Sequence, residues 1–345
     1  AAERYGLNGE RLLLGIAACI EISCRLAVVA PTAQHRASFH PTAVLGCFGA
    51  TVGASVALGL NAKQTIDALG TAGSLAAGII EYLGDGSWTK RMHPGWNAQS
   101  GLRAALMGKA GFFGPKYVFE GEHGAYTAFA HPDIPQDFDK VTATLGTEWV
   151  ADKITFKSYA CGTMTQPFID CAIRFRGLGV NPDEIEKIEC NVGEGTVHRL
   201  WEPLGLKQNI PTPYAGKFSV PYCIGIGMVD GAAGLAQFTD DRFKDPVATK
   251  IAQKVVYIID PKNEYPANYT GHLKATMKDG TVHEFEQPHM RGGPLEPLSD
   301  EELYGKYRSN CAYGGWDESQ IDALQSFCDG IGRADNMDGL AAFRG

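Results

Sequence analysis

The sequence predicts a mixed α and α+β fold, in which an all-helical domain comes first, a smaller α+β domain follows, and the last helices return to the helical domain. A chain of 345 residues is longer than one ordinary core requires, which favours two domains. Helical periodicity dominates the first part of the chain, whereas strand-like alternation begins near residue 150. The predicted segments are residues 1–148, 149–297 and 298–345.

Four helices are predicted in the first part of the chain, over residues 9–29, 41–60, 62–80 and 97–111. In the first of them, Glu21 and Arg25 stand one helical turn apart, as a pair suited to an exposed edge. Asn61 and Gln64 resemble a capping pair that opens the third helix.

The second of these helices lies in a stretch without charge, from Thr42 to Ala62, which is long enough to cross a membrane. Its glycine and alanine content is high, and small residues at three- and four-residue spacing let helices approach closely. Because similar helices follow it, we expect a buried core helix of a soluble bundle rather than a membrane span.

In the second part, strands are predicted over residues 151–159 and 185–193, and helices near 164–176, 218–238, 300–309 and 317–328. Asp279 and Gly280 stand between alternating flanks and suit the type I′ turn of a hairpin. Ser299 and Glu302 form a capping box at the start of a helix. The GIGMVDG stretch at 225–231 does not follow a strand, which favours helix packing over dinucleotide binding.

Composition narrows the classes of function. The net charge of −8 argues against nucleic-acid binding, which needs a basic face, although a local cluster of cations could bind a small anion. The nine cysteines are scattered, without a C-x-x-C pair or zinc spacing, so we expect reduced thiols and no metal site. No secretory signal opens the chain, and we expect a cytoplasmic protein.

Three short stretches combine histidine or lysine with a polar turn. In SFHPTAVLG, His40 precedes a proline suited to a first helical turn. In WTKRMHPGWN, Lys90 and His93 stand in a turn before a helix, and in TFKSYACGTMTQP, Lys157 ends a strand two residues before Tyr159. Each residue alone could be a capping or core histidine or a solvated lysine. Together, lysines at helix N-termini are typical of a polycarboxylate site, where a lysine and a histidine can stabilise a carbanion and transfer its proton.

These stretches, in this order and spacing, resemble the MmgE/PrpD family, which includes 2-methylcitrate dehydratase, cis-aconitate decarboxylase and iminodisuccinate epimerase. The matching blocks are FHPTAVLGCFGA, TKRMHPGWNAQSGLRAALM, KSYACG and GKFSVPYCIGIGMVDG. The resemblance implies a helical domain built from both chain ends, an α+β lid domain, a homodimer, and a cofactor-free active site between the domains.

Carried over position by position, the resemblance makes His40, Lys90 and Lys157 the catalytic residues. His93 matches a recurrent histidine in the block of Lys90. Substrate binding is assigned to Arg91, His93, Tyr159 and Lys217.

The sequence departs from the family pattern in three places. Gly162 stands where decarboxylase-like members carry a histidine, which argues against a cis-aconitate decarboxylase because a candidate proton donor is missing. Gln166 stands where many members carry another histidine. Family members also begin with helices that carry an aspartate and a histidine of the site. We expect those groups to come from a longer gene product or from another chain, or the chain alone to be inactive.

The sequence therefore predicts a metal-independent hydro-lyase that removes water from a small citrate-like or 2-hydroxy acid. Lys90 and Lys157 would bind carboxylates and stabilise the carbanion, and His40 would move the proton. An epimerase or racemase of a dicarboxylate is the first alternative, because it uses the same carbanion. A decarboxylase and a catalytically dead carboxylate-binding paralogue follow. We expect a homodimer that binds neither nucleic acid nor membranes.

Overall fold

The computed structural model describes residues 1–344 as a helix-rich fold with one four-stranded sheet, which confirms the predicted mixed class. The described chain divides into two compact units, residues 1–153 with 319–344, and Ile154–Glu318. The predicted segments ended at residues 148 and 297. The helix that follows residue 299 belongs to the second unit, where its Glu302 pairs with Arg291.

Eight helices of 11 residues or more lie within the described residues: α1 (Gly9–Val29), α2 (Pro41–Ala57), α3 (Ala62–Gly73), α4 (Thr89–Lys109), α5 (Gln166–Gly177), α6 (Val220–Asp230), α7 (Asp300–Tyr313) and α8 (Glu318–Gly330). Shorter α-helices are Ala2–Tyr5, Ala33–Arg36, Tyr82–Asp85, Ala125–Phe129, Asp139–Thr142, Glu194–Leu200, Leu204–Gln208, Pro213–Gly216, Asp240–Lys244 and Pro246–Ala252. The 3₁₀ helices are Val150–Lys153, Thr163–Thr165, Pro182–Glu184, Leu235–Phe238, Ile331–Arg333 and Asp338–Phe343.

Small residues let α1, α2 and α4 pack closely in the first unit. A Cβ on Gly53 of α2 would lie 2.6 Å from the Gly15 oxygen and 2.7 Å from Cys19 Cβ, both on α1. A Cβ on Gly101 of α4 would lie 2.8 Å from the Cys47 oxygen of α2. Any side chain at these glycines would push the helices apart, and α2 is the buried core helix that its composition predicts.

The first helix of the core, α1, is the one helix in residues 1–344 that is long and apolar enough to cross a membrane. Buried helices of soluble proteins meet the same length and composition test. Leu13, Leu14 and Ile16 on this helix are exposed.

The exposed edge predicted for Glu21 and Arg25 is wrong, because both side chains are buried. Arg25 Nε donates to Glu21 Oε1 at 2.5 Å, and its guanidinium group donates to the carbonyl oxygens of Thr144 at 3.1 Å and Glu148 at 2.6 Å. The Glu21 carboxylate accepts a hydrogen bond from the N–H of Ala151 at 2.8 Å. These bonds connect α1 to residues 144–151 and give both charged groups hydrogen-bond partners.

The sheet of the second unit has four strands, β1 (Ile185–Val192), β2 (Val255–Ile259), β3 (Gly271–Met277) and β4 (Val282–Gln287), in the order β2-β1-β3-β4. β1 is parallel to β2 and antiparallel to β3, and β3 and β4 form a hairpin. Alternate residues of β3 are buried and share one core with side chains of α5 and α6. The strand predicted near residues 185–193 is confirmed as β1.

The hairpin predicted at Asp279 and Gly280 is confirmed, but its turn is not type I′. That turn needs positive φ at both central residues. Among the described non-glycine residues only Thr32 and Ser38 have positive φ, so Asp279 does not. Gly280 has φ 89° and donates its N–H to the Met277 oxygen at 2.9 Å, which makes a longer loop with glycine at the left-handed position.

Helix α6 ends earlier than the helix predicted over residues 218–238. Gly231 adopts φ 67° and ψ 19°, and its N–H donates to the Gly227 oxygen. A left-handed glycine is a common helix terminator, so the chain leaves the helix at this point.

Candidate active site

His40 lies at the N-cap of α2, with Pro41 as the first helical residue, as the sequence predicts. Its backbone N–H donates to the Gly78 oxygen at 2.9 Å, and its side chain is buried. The side chain makes no capping bond to the helix. A capping role therefore does not account for this histidine.

The turn predicted in WTKRMHPGWN is wrong, because this stretch forms the first two turns of α4. Pro94 is the sixth residue of the helix, and it removes one backbone hydrogen bond close to the N-terminus. The helix therefore starts at Thr89 rather than near residue 97. Lys90 and His93 are three residues apart in it, a spacing that brings side chains to one helix face.

The rings of His40 and His93 meet through Nδ1 atoms that are 3.1 Å apart, and both side chains are buried. A Cβ at Gly78 would lie 3.3 Å from His93 Cε1 and Nδ1, and Gly78 has φ 136°, so glycine is favoured at this close approach. Asn97 Nδ2 donates to the His93 carbonyl oxygen at 2.9 Å. The pair is therefore held from α4 and from the loop of Gly78.

Tyr82 and Lys90 border this histidine pair. The Tyr82 ring centre is 5.9 Å from the ring centres of both His40 and His93, and Lys90 Nζ lies 5.6 Å from the Tyr82 ring centre. The His35 ring is 6.5 Å from the His40 ring. Burial, and then the charge of Lys90, lower the pKa of His93 below its usual value. His93 is therefore neutral at physiological pH.

A pocket of about 450 Å³ opens beside His93 within the first unit. Its lining includes Gly78, Tyr82, Met92, His93 and Trp96, together with Glu81 and Asp85. A hydrogen bond from the Ser87 N–H lowers the pKa of Asp85, which keeps this carboxylate charged. The negative charge of these two acidic residues on the lining opposes the binding of a polyanion in this pocket.

Arg91 lies apart from this cluster, although it follows Lys90 directly. It is exposed, and its guanidinium carbon lies 4.9 Å from the Trp88 ring centre. Its position on α4 is one residue from the face that carries Lys90 and His93.

The strand predicted over residues 151–159, which was expected to end at Lys157, is wrong. Val150–Lys153 is a 3₁₀ helix and the following residues form a loop. The Phe156 N–H donates to the Gly292 oxygen at 2.9 Å. The alternating pattern of this stretch therefore reflects an extended loop that passes residue 292 rather than a strand of the sheet.

Two lysine ammonium groups bond to successive carbonyl oxygens in this second unit. Lys157 Nζ donates to the Cys161 oxygen at 3.4 Å, and Lys217 Nζ donates to the Ala160 oxygen at 2.6 Å. Lys217 Nζ also lies 4.3 Å from the Phe238 ring centre. Two positive charges therefore flank residues 160 and 161.

Lys157 is exposed as a residue, but its ammonium group is partly desolvated where it contacts the loop. This burial lowers the pKa of Lys157; the negative charge of an ionised Cys161 opposes the shift, and the positive charge of Lys306 adds to it. The result is a more readily deprotonated lysine than an ordinary surface one.

Cys161 lies between these lysines and is buried. Thr165 Oγ1 donates to its sulfur at 3.0 Å. Burial alone would raise the pKa of Cys161, but hydrogen bonds with Cys223 and Thr165 and the charges of Lys157 and Lys217 lower it. Lys157 and Thr165 are each four residues from Cys161 in the sequence, whereas Lys217 and Cys223 come from a distant segment that the sequence does not place beside it.

Tyr159 donates its hydroxyl hydrogen to Asp170 Oδ1 at 2.6 Å, and Arg291 Nη1 donates to the same oxygen at 3.3 Å. Burial, and then the charge and hydrogen bond of Asp170, raise the pKa of Tyr159. Its hydroxyl group therefore stays protonated and is committed to Asp170. Asp170 and Arg291 are polar residues beside the predicted Tyr159 that the sequence analysis missed.

Gly162 and Gln166 occupy the two positions where histidine was expected from the family pattern. The Gly162 N–H donates to the Lys217 oxygen at 2.8 Å, and a Cβ at Gly162 would lie 3.2 Å from that oxygen. Gln166 Oε1 accepts from the Tyr159 N–H at 3.2 Å, and its Nε2 donates to the Tyr159 oxygen at 3.1 Å. Gln166 thus holds the backbone of Tyr159, and Gly162 permits a tight contact.

The predicted site residues therefore form two clusters. His40, Lys90 and His93 lie together in the first unit, and Lys157, Tyr159 and Lys217 lie in the loop region of the second. Within residues 1–344, no group of three or more histidine, cysteine, aspartate or glutamate side chains is placed to hold a metal ion.

Comparison with protein families gives matches over most of the chain. Residues 1–137 match the MmgE/PrpD N-terminal domain, and residues 159–327 match the MmgE/PrpD C-terminal domain. The two matched regions contain the histidine cluster and the lysine cluster respectively.

Several curated proteins are similar to this chain along most of its length. It is 26% identical to cis-aconitate decarboxylase of Aspergillus terreus, over 88% of this chain and 64% of that protein. The identity to cis-aconitate decarboxylase of Mus musculus is 26%, over 88% and 62%, and to that of Homo sapiens 26%, over 93% and 67%. The chain thus spans 62–67% of the length of these three cis-aconitate decarboxylases.

Proposed function

The chain belongs to the MmgE/PrpD family, and from this premise we propose that it is a lyase acting on a small polycarboxylic acid. The reaction proceeds through a carbanion next to a substrate carboxylate. The observation that carries the proposal is the buried contact between His40 and His93 with Lys90 nearby. It combines a ring that can exchange a proton with a cation that can hold an anion.

In the proposed reaction, Lys90 and Lys157 bind substrate carboxylates and stabilise the negative charge that develops on the carbon. His40 removes the proton from that carbon or delivers a proton to the leaving group. Lys217 adds positive charge beside Lys157, since both ammonium groups bond to the same loop. None of these roles needs a cofactor.

Dehydration of a citrate-like or 2-hydroxy acid is the reaction we favour. It is supported by Gly162, which cannot donate a proton and whose N–H is bonded to Lys217. A histidine there would need the Lys217 carbonyl to move, because its Cβ would start 3.2 Å from the oxygen. Elimination of water instead needs only one group that moves a proton and cations that hold the carboxylates.

Decarboxylation of a cis-aconitate-like acid is the second candidate. The curated relatives named above support it, because all three are cis-aconitate decarboxylases at 26% identity. Epimerisation of a dicarboxylate is a further alternative, and only the carbanion that it shares with elimination supports it. If the protein turns over no acid, the remaining alternative is a catalytically dead carboxylate-binding protein.

We also propose that the protein is a cytoplasmic homodimer. Exposed Leu13, Leu14 and Ile16 on α1, and an apolar pocket of about 510 Å³ lined by α1, α2 and α4, support an interface on the first unit. Sedimentation velocity at micromolar concentration tests this proposal, and a stable, well-folded monomer would contradict it.

The experiment that tests the function is a substrate panel followed by NMR. Purified protein is incubated with 2-methylcitrate, citrate, cis-aconitate and a chiral dicarboxylate, and the products are identified. An unsaturated acid from a hydroxy acid supports dehydration, loss of carbon dioxide supports decarboxylation, and an inverted centre supports epimerisation. Binding of these acids without turnover would contradict the lyase proposal.

A further inference from the structure

The contact between His40 and His93 joins two groups of the same kind. Their Nδ1 atoms are 3.1 Å apart, a hydrogen-bond distance, so one ring donates its Nδ1–H and the other accepts. If both Nδ1 atoms carried hydrogen, two N–H groups would face each other. The two rings therefore hold one proton between these nitrogens, and whichever ring has it fixes the tautomer of its partner.

The protein fixes this arrangement from both sides. His40 is anchored through its backbone N–H to the Gly78 oxygen, and a Cβ at the same glycine would lie only 3.3 Å from the His93 ring. His93 is anchored through its carbonyl oxygen to Asn97. With 7% and 4% of their surfaces exposed, the two rings have little freedom to separate.

From this geometry we infer that His93 is a positioning residue that shares a proton with His40 and sets the tautomer in which His40 exchanges a proton at Nε2. The inference rests on the proposed function. When His40 donates its Nδ1–H to His93, its Nε2 is unprotonated and can act as a base. When His93 donates to His40, Nε2 of His40 carries the hydrogen and can act as an acid.

The charges around the pair determine where an added proton resides. Lys90 lies on the same helix as His93, Tyr82 contacts both rings, and His35 lies near His40. Glu81 and Asp85 line the pocket next to His93. Burial and the positive charge of Lys90 oppose a charged His93.

In the proposed dehydration, His40 carries one proton from the carbon to the departing hydroxyl group. His40 Nε2 takes the proton from the carbon beside the carboxylate, and the electron pair of the broken C–H bond stays on that carbon. This electron pair then forms the C=C bond while the C–O bond to the hydroxyl group breaks. The hydroxyl group leaves with the proton from His40 as water, which restores the neutral histidine pair.

The test begins with the unaltered protein and needs no substrate. With ¹⁵N-labelled histidine rings, NMR shifts report which ring nitrogens carry hydrogen, and single His→Gln changes assign the signals. We expect one protonated and one unprotonated Nδ1 in the pair near pH 8, with the two rings titrating together. Two unprotonated Nδ1 atoms and independent titrations would overturn the inference.

Two variants separate positioning from packing. His93→Phe keeps an aromatic ring but removes the shared proton, and we expect the His40 titration midpoint to move by about 1 pH unit or more. His93→Asn offers an amide near the former Nδ1 and should partly restore both the His40 tautomer and the pH profile of kcat/KM. His131→Phe, a histidine change outside the pair, should leave the His40 signals unchanged.

The ring titrations also separate this inference from the proposed function. A shared proton in a protein that turns over no tested acid would support the pairing and contradict the lyase. A lyase whose His40 signals and pH profile are the same in the unaltered protein and in His93→Phe would support the reaction and overturn the positioning role of His93.

Discussion

Arg25 and Glu21 form an ion pair inside the first unit, with Arg25 Nε 2.5 Å from Glu21 Oε1 and side chains that are 0% and 6% exposed. The remaining hydrogen-bonding groups of the pair bond to backbone between residues 140 and 151. A buried pair of this kind is most costly when only one partner is removed, because the other charge then stays buried without compensation.

We expect Arg25→Met to lower the free energy of unfolding by about 3–5 kcal/mol, because the Glu21 carboxylate and several carbonyl oxygens lose their partner. Urea denaturation followed by circular dichroism measures this loss. Arg103→Met, an exposed arginine change on α4, is the matched control and should change stability by about 0.5 kcal/mol or less. Equal small losses for both variants would contradict a stabilising role for the pair.

The same pair predicts a pH dependence of stability. Burial alone would raise the pKa of Glu21, but the N–H groups of Ala151 and Val150 and the Arg25 guanidinium group lower it below its usual value. In the unfolded chain the carboxylate takes up its proton near pH 4.3, so the folded state keeps this contribution above about pH 4.3 and loses it as the pH falls through the lower folded pKa.

Stability measured between about pH 5 and pH 3 should therefore fall more steeply in the unaltered protein than in Glu21→Gln. The Gln side chain has no proton to take up in this range. Parallel pH curves for the two proteins would show that Glu21 does not contribute to acid unfolding.

Lys90 and Arg91 are adjacent in sequence, but only Lys90 lies beside the histidine cluster. We expect Lys90→Met to lower kcat/KM by about 30–1,000-fold, which corresponds to roughly 2–4 kcal/mol of transition-state stabilisation. Arg91→Met should change kcat/KM by about twofold or less, because its exposed guanidinium group lies against the Trp88 ring rather than beside the histidine pair. Steady-state kinetics with the acid that the substrate panel identifies measure both effects. An unchanged kcat/KM in Lys90→Met would exclude Lys90 from the proposed site.

The lowered pKa of Lys157 predicts how substrate binding changes at high pH. In the proposed reaction the charged form of Lys157 binds a carboxylate, so binding should weaken as the pH rises through the folded pKa, which lies below the usual value for lysine. KM should therefore begin to rise below about pH 10.4, the pH at which an ordinary lysine titrates. The KM of Lys157→Met should be high at every pH and should not rise further as the pH increases. The KM of Lys153→Met should depend on pH as in the unaltered protein.

Local sequence signals predict where several helices begin. His40 and Pro41 place the N-cap of α2, and both predicted capping pairs, at Asn61 and at Ser299, form complete capping boxes. Each of these features depends on residues within three positions of each other, so the sequence contains all the information that they need.

Contacts between distant residues explain what the sequence did not predict. The i, i+4 spacing of Glu21 and Arg25 indicates that they meet, but the groups that bury Arg25 come from residues about 120 positions away. Arg291 reaches Asp170 across a similar distance, so nothing near Tyr159 predicts it. The proline of WTKRMHPGWN likewise indicates a break, although one lost hydrogen bond near a helix start does not prevent the helix.

The proposed reaction forms a carbanion next to a carboxylate, and hydrogen–deuterium exchange at that carbon is the measurement that decides whether it does. The protein is incubated with each accepted acid in D₂O, and ¹H NMR follows the C–H group beside the carboxylate. We expect this hydrogen to be lost to solvent on elimination or epimerisation, and deuterium to enter at the carbon that loses carbon dioxide on decarboxylation. Consumption of the acid with that C–H hydrogen retained in the product, and with no deuterium gained there, would contradict a carbanion mechanism.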